Sequence, residues 1–149
     1  MNPCTRIASA LFALGIMLGS TACSTPAPAP ARPSLFVRLG GMANVNAVVD
    51  DFVSKVSADP RSKRTFEGVN LTRLKASVAS HICSISGGPC KYEGDSMVLA
   101  HRGMALTVEE LQVMGEYVDQ ALVRRGVAKA EREELESLLD KMAGDVLNK

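Results

Sequence analysis

Gly87-Gly88-Pro89-Cys90-Lys91-Tyr92-Glu93-Gly94-Asp95-Ser96-Met97-Val98-Leu99-Ala100-His101-Arg102-Gly103 joins two helical patterns through a glycine-rich bend and ends on an imidazole. Upstream of it, Leu71, Leu74, Val78, Ile82 and Ile85 recur at helical spacing after a capping Asn70, and the Gly-Gly-Pro run stops that helix. His81 lies three residues after Val78, on the same side of the helix. Downstream, Asp95 is expected to cap a brief helix through Met97, Val98 and His101. His81 and His101 are the chain's two histidines, and a neutral imidazole presented by a short helix is suited to ligate a metal.

The pattern continues in both directions. Thr107-Val108-Glu109-Glu110 reads as a capping box, and a helix follows with Val108, Leu111, Met114, Val118, Ala121 and Leu122 inside, ending at Gly126. A last helix over Glu131 to Leu147 would bury Leu135, Leu138, Leu139, Met142 and Val146. Toward the N-terminus, Ser34 caps a short helix over Leu35 to Leu39, which Gly40-Gly41 ends. Val45, Val48, Val49, Phe52, Val53 and Val56 then mark a helix up to Ala58. Valine forms helices poorly, so tertiary packing has to hold that one. Asp59-Pro60 restarts the chain into a short turn that reaches Phe66, with Gly68 closing it. No strand pattern survives, and the fold class is all-α.

Residues 1–22 have the form of an export signal: a charged start, an apolar run over Ile7 to Leu18 too short to span a bilayer, and then Gly19-Ser20-Thr21-Ala22 before Cys23. Small residues before a Cys resemble the bacterial lipobox, which makes Cys23 the expected lipidation site and the membrane a partner through that anchor. Ser20 departs from the usual Leu or Val. Residues 23–33 read as an Ala/Pro tether in extended polyproline geometry, and residues 34–149 as one domain. The chain is thus expected to be exported, as a periplasmic or outer-membrane lipoprotein. Of four cysteines, Cys4 leaves with the signal and Cys23 is the acylation site, so Cys83 and Cys90 remain. In an exported domain they suggest a disulfide; two buried thiols, or a metal site with His81, are the alternatives. The formal net charge of +1 gives no reason to propose nucleic acid. No catalytic triad, paired carboxylates, phosphate loop or zinc motif is present, and Asp50-Asp51 reads as a solvated pair on a helix surface.

Leu39-Gly40-Gly41, Val48-Val49-Asp50-Asp51-Phe52, Ala58-Asp59-Pro60-Arg61, Phe66, Leu74-Lys75, Gly87-Gly88-Pro89, Tyr92-x-Gly94, Met97 and His101-x-Gly103 occur in order. At these intervals the domain resembles a group 1 truncated hemoglobin over essentially all of Ser34 to Lys149. The resemblance implies a two-on-two helical sandwich around heme b. It makes His101 the proximal iron ligand and Phe66 the aromatic against the heme face. Phe52, Leu74, Val78 and His81 would line the distal side, and Met97 would touch the heme from the proximal side. Tyr92, with Lys75 or Arg73, could reach a propionate. His81 is also a candidate second iron ligand, although the family usually has an apolar aromatic there.

Two departures bear on function. Val53 stands where the family commonly has Tyr, and Leu74 and Val78 where it commonly has Gln, with Ser77 between them. Hydrogen-bond donors hold bound O2, so their loss should speed O2 release and favour autoxidation, while CO and NO depend on them less. Three readings stand: a globin binding O2, NO or CO, with NO dioxygenase or peroxidase-like activity and a reductase partner within its scope; a six-coordinate redox hemoprotein; and a globin-fold interaction module.

Overall fold

The helical periodicity is realised as a series of helices within residues 31–147, the part of the chain that the computed structural model describes. The signal over 1–22, Cys4, Cys23 and the tether up to Pro30 lie outside these residues. In order the elements are α1 (Leu35–Arg38), α2 (Gly41–Val56), a 3-10 turn (Lys63–Phe66), α3 (Leu71–Ile85), α4 (Met97–Ala100), α5 (Val108–Arg124), α6 (Lys129–Asp140) and α7 (Ala143–Val146). Among the described residues the only β-type pairing is one isolated bridge, Leu106 with Leu147. The all-α reading is borne out.

Local chemistry sets most of the boundaries. Ser34 Oγ accepts the Val37 N–H and starts α1, and Asn70 Oδ1 accepts the Arg73 N–H at 3.0 Å and starts α3. Thr107 and Glu110 form the reciprocal capping box at the head of α5. At the end of α3, Gly87 takes φ +77°, which costs a glycine little. The Gly88 N–H then reaches the Cys83 carbonyl at 2.8 Å and the Gly87 N–H that of Ser84 at 3.3 Å, so two orphan carbonyls are satisfied.

Packing supplies what valine's propensity lacks. Val45, Val48, Val49, Val53 and Val56 of α2 are all buried. At about 1.5–3 kcal/mol for each buried side chain, that outweighs a helix-propensity deficit of at most ~0.7 kcal/mol per residue. Val45, Val48, Val49 and Val53 pack with Ala79 and Ile82 of α3, Ala121 and Leu122 of α5, Leu135 of α6, and Leu35 and Leu39. α2 lies against both α3 and α5, α6 against α1 and α5, and α4 against α7. Ion pairs tie the seams: Arg38 to Glu131 and Glu134 across α1 and α6, and Arg124 to Asp51 across α5 and α2.

Four sequence expectations change. The cap of α4 is Ser96, whose hydroxyl accepts the Leu99 N–H, and not Asp95. The last helix starts at Lys129 and breaks after Asp140, with Lys141 and Met142 separating α6 from α7. α2 ends at Val56, with Ser57 closing it, so Ala58 lies beyond the helix. Val108 is 52% exposed, because at the first position of α5 it precedes the turn that faces the core.

Candidate functional site

Residues of α2, the 3-10 turn, α3 and the bend after it, together with residues of α4, α5, α6 and α7, line a mainly apolar cavity of about 400 Å³. Eight of the nine residues expected at a cofactor line it: Phe52, Phe66, Leu74, Val78, His81, Tyr92, Met97 and His101. Lys75 is the exception. Its ammonium donates to Asp50 Oδ1 at 2.6 Å and to Ser54 Oγ at 2.8 Å, so it ties α3 to α2 instead. Val53, which is fully buried, and Ser77 also face the cavity.

The two imidazoles differ in their partners. His101 is the C-terminal cap of α4, and its Nδ1 lies 2.8 Å from the Met97 carbonyl oxygen. A carbonyl only accepts, so Nδ1 donates, and in the neutral ring Nε2 then keeps its lone pair; a metal-bound imidazole is commonly oriented this way by its second nitrogen. His81 has both ring nitrogens buried without a hydrogen-bond partner. Burial pushes its pKa below the ordinary value, which keeps the ring neutral. Its nearest aromatic neighbour is Tyr92, edge-on with ring centroids 4.7 Å apart. The Tyr92 hydroxyl donates to the Asp95 carbonyl at 3.1 Å.

Cys83 and Cys90 are joined in a disulfide, with Cα atoms 5.7 Å apart. Both sulfurs are therefore committed, and among the described residues no His/Cys/Asp/Glu cluster could hold a metal ion. The bond closes the loop between the end of α3 and the segment leading to α4.

Sequence reading missed the support beneath His101. Arg64, in the 3-10 turn, donates to the carbonyls of Met104 and Ala105 at 3.2 and 3.1 Å and pairs with Glu110. Ala105 has φ +45°, a left-handed conformation unfavourable for a non-glycine residue. Burial alone would raise the Glu110 pKa; the Thr107 N–H and Arg64 outweigh it and hold the carboxyl below its ordinary range. No local pattern could have revealed a contact 46 residues apart in sequence. Met104, Met114 and Met142 line the cavity too, and only the latter two fell on readable helical stripes.

A family model described as bacterial-like globin matches residues 34–148. A group 1 truncated hemoglobin of Tetrahymena thermophila is 30% identical over 118 residues, covering 79% of this chain and 98% of that protein. Group 1 truncated hemoglobin GlbN of Mycolicibacterium paratuberculosis is 31% identical over 94 residues, or 63% of this chain and 69% of that protein. Among solved structures, the ferric truncated hemoglobin of Tetrahymena pyriformis superposes with a TM-score of 0.76 at 28% identity, covering 78% of this chain and all of that one (100%). A 2/2 hemoglobin of a Synechococcus species, in the cyanomet state with covalently attached heme, gives a TM-score of 0.73 at 28% identity over 78% of this chain and 100% of its own. The two-on-two arrangement is thereby shown for this chain.

The residues present fit a heme. The cavity has the volume and apolar lining of a small-molecule site. One lining imidazole is anchored through Nδ1 with Nε2 left for a metal, and the other has unsatisfied polar atoms that an occupant could satisfy.

Proposed function

This chain belongs to the bacterial-like globins as a group 1 truncated hemoglobin, and from that premise we propose that it holds heme b through His101 and binds diatomic gases, O2, NO or CO, at the cell envelope. The observation that carries the reading is the Nδ1–H of His101 donating to the Met97 carbonyl, which leaves Nε2 free to ligate. Heme supplies an iron at which such small molecules bind. The protein's part is to orient His101, to keep water out with Phe52, Phe66, Leu74 and Val78, and to set the polarity around the ligand. That wall is poor in free donors: Val53, Leu74 and Val78 offer none, and of the polar Thr65, Ser77, His81 and Tyr92 the Thr65 and Tyr92 hydroxyls already donate to the Ser62 and Asp95 carbonyls. A hydrogen bond contributes on the order of 1 kcal/mol, so O2 leaves quickly here and NO or peroxide chemistry gains weight, with a reductase as partner. The signal-like residues 1–22, the lipobox-like Cys23 and the Cys83–Cys90 disulfide support export to an oxidising compartment and a lipid anchor.

The test is an absorption spectrum of the full chain supplied with hemin, in ferric, ferrous and CO-bound forms, beside His101→Ala. A Soret band that shifts with CO in the wild type and is lost in the variant supports the assignment; undiminished heme loading in the variant refutes it. A second reading, a six-coordinate redox hemoprotein, draws on the unpartnered nitrogens of His81 in the same cavity. It requires a low-spin wild type that His81→Phe converts to high spin. A wild type already high spin in both oxidation states removes it.

A further inference from the structure

We propose that the Cys83–Cys90 disulfide is a redox-sensitive latch that positions Tyr92 over His81, so that thiol exchange at this pair sets how firmly the pocket retains its heme. The inference rests on the heme reading above but concerns residues that reading leaves without a role.

The placement of the bond carries the argument. Cys83 lies two residues after His81 on α3, and Cys90 two residues before Tyr92. The disulfide therefore joins the backbone that carries the cavity histidine to the backbone that carries its aromatic cover. Tyr92 is seated from two further directions. Its hydroxyl donates to the Asp95 carbonyl at 3.1 Å, and its ring lies so close over Gly94 that a Cβ there would stand 2.3 Å from the hydroxyl oxygen. The segment from Gly88 to Asp95 has no helix or strand of its own. Besides the Tyr92 hydroxyl, only an exposed Lys91–Glu93 pair joins side chains within it. Without the covalent bond, the Gly88 N–H on the Cys83 carbonyl at its start and the contact of the Tyr92 ring with His81 remain to tie it to α3. His81 is held by the helix in either state; what changes is whether Tyr92 shields it from water.

The two sulfurs are unequal. Cys83 is fully buried and Cys90 only partly. A dithiol reductant therefore attacks the sulfur of Cys90; the S–S bond breaks and Cys83 leaves as a thiolate, which takes up a proton. The reductant's second thiol then displaces Cys90. Two electrons and two protons pass to the pair, and the reductant leaves as a disulfide. With the latch open, Tyr92 swings away, the imidazole of His81 meets water and the cavity gains a mouth.

The experiment follows hemin transfer from the ferric full chain to excess apomyoglobin, before and after reduction with a phosphine, with free thiols counted. Transfer should quicken on the order of tenfold on reduction and recover on reoxidation. Tyr92→Leu should transfer fast in both redox states. Equal rates with two more free thiols counted after reduction than before overturn the proposal, as does a full reduction effect in Tyr92→Leu. If the protein takes up no hemin in either state, the heme reading falls, and the latch is read separately from the ring protons of His81. With two histidines in the chain, these resonances are simple to assign. A Tyr92 ring-current shift that collapses on reduction supports the positioning, and one that persists refutes it.

Discussion

Replacing Arg64 with Met should loosen the segment that follows His101. The guanidinium binds the carbonyls of Met104 and Ala105 and the carboxylate of Glu110, whose side chain is only 6% exposed. The substitution leaves that carboxylate with the Thr107 N–H as its remaining partner. A hydrogen bond to a charged group contributes about 1.5–3 kcal/mol. The Arg64 side chain is itself 51% exposed, so solvent screening pulls the value down, and the freed carbonyls find water. A loss of about 2 kcal/mol at neutral pH results, which for a domain of this size lowers Tm by about 8 °C. The pH dependence gives a second check. Glu110 has a folded pKa below its unfolded value of about 4.3, so its stabilisation is complete above that value and disappears as pH falls through the lower, folded one. The gap between wild type and Arg64→Met should hold from pH 8 to about 5 and narrow below about 4. The assay is thermal unfolding followed by circular dichroism, with hemin in fixed excess because bound ligand raises Tm. A gap under about 0.5 kcal/mol at pH 7, or one that persists unchanged in acid, would refute the assignment of Arg64 as the clasp.

Cys90→Ser, or reduction of the wild type, should cost about 2.5 kcal/mol by the loop-closure relation for a crosslink seven residues apart, read as a lower urea midpoint; an unmoved midpoint would show that the open chain keeps the loop closed. Gly88→Ala places a Cβ 2.6 Å from Cys83 Sγ and 2.8 Å from Phe36 Cδ2, so it should destabilise by about 2 kcal/mol or more, whereas Gly115→Ala, with nothing within 4 Å, should gain up to about 1 kcal/mol; equal melting temperatures for the pair would contradict the packing of the bend. His81→Phe should make the heme-free protein more stable by about 1 kcal/mol in urea, because it removes two polar atoms with no partner; a loss of stability would mean that His81 has one.

What could be read from the sequence was local or periodic. The caps at Ser34, Asn70 and Thr107 work within three residues, and the stop at Gly87 within five, so their chemistry is complete in a short window. The buried stripe of α2 announces itself by spacing. The choice of Ser96 over Asp95 as the cap of α4 did not, because two good caps stand side by side and the path of the bend decides between them. The break after Asp140 carries no Gly or Pro. It leaves Met142 on the cavity and Leu147 paired with Leu106. The Lys75 ammonium finds Asp50 on the neighbouring helix, a competitor for any propionate that only packing reveals.

The cavity walls were legible for the same reason that their chemistry was not. Phe52, Leu74 and Val78 are core residues in any helical bundle, so burying them required no cofactor. The imidazoles carry the distinction. A satisfied core histidine would have both nitrogens paired, as buried polar groups generally do. His101 has one paired nitrogen, and that pairing fixes the tautomer a metal needs. His81 has none, in a place where an unmet polar group costs about 1–3 kcal/mol. A fold that needed only a filled core would have gained by placing an apolar ring there. Retaining the imidazole makes sense if what enters the cavity pairs with it: a heme carboxylate, a ligand on the iron, or the iron itself. His81 is therefore the cavity residue with most to gain from an occupant, and the spin state of the His81→Phe protein distinguishes direct ligation from the two hydrogen-bonded arrangements.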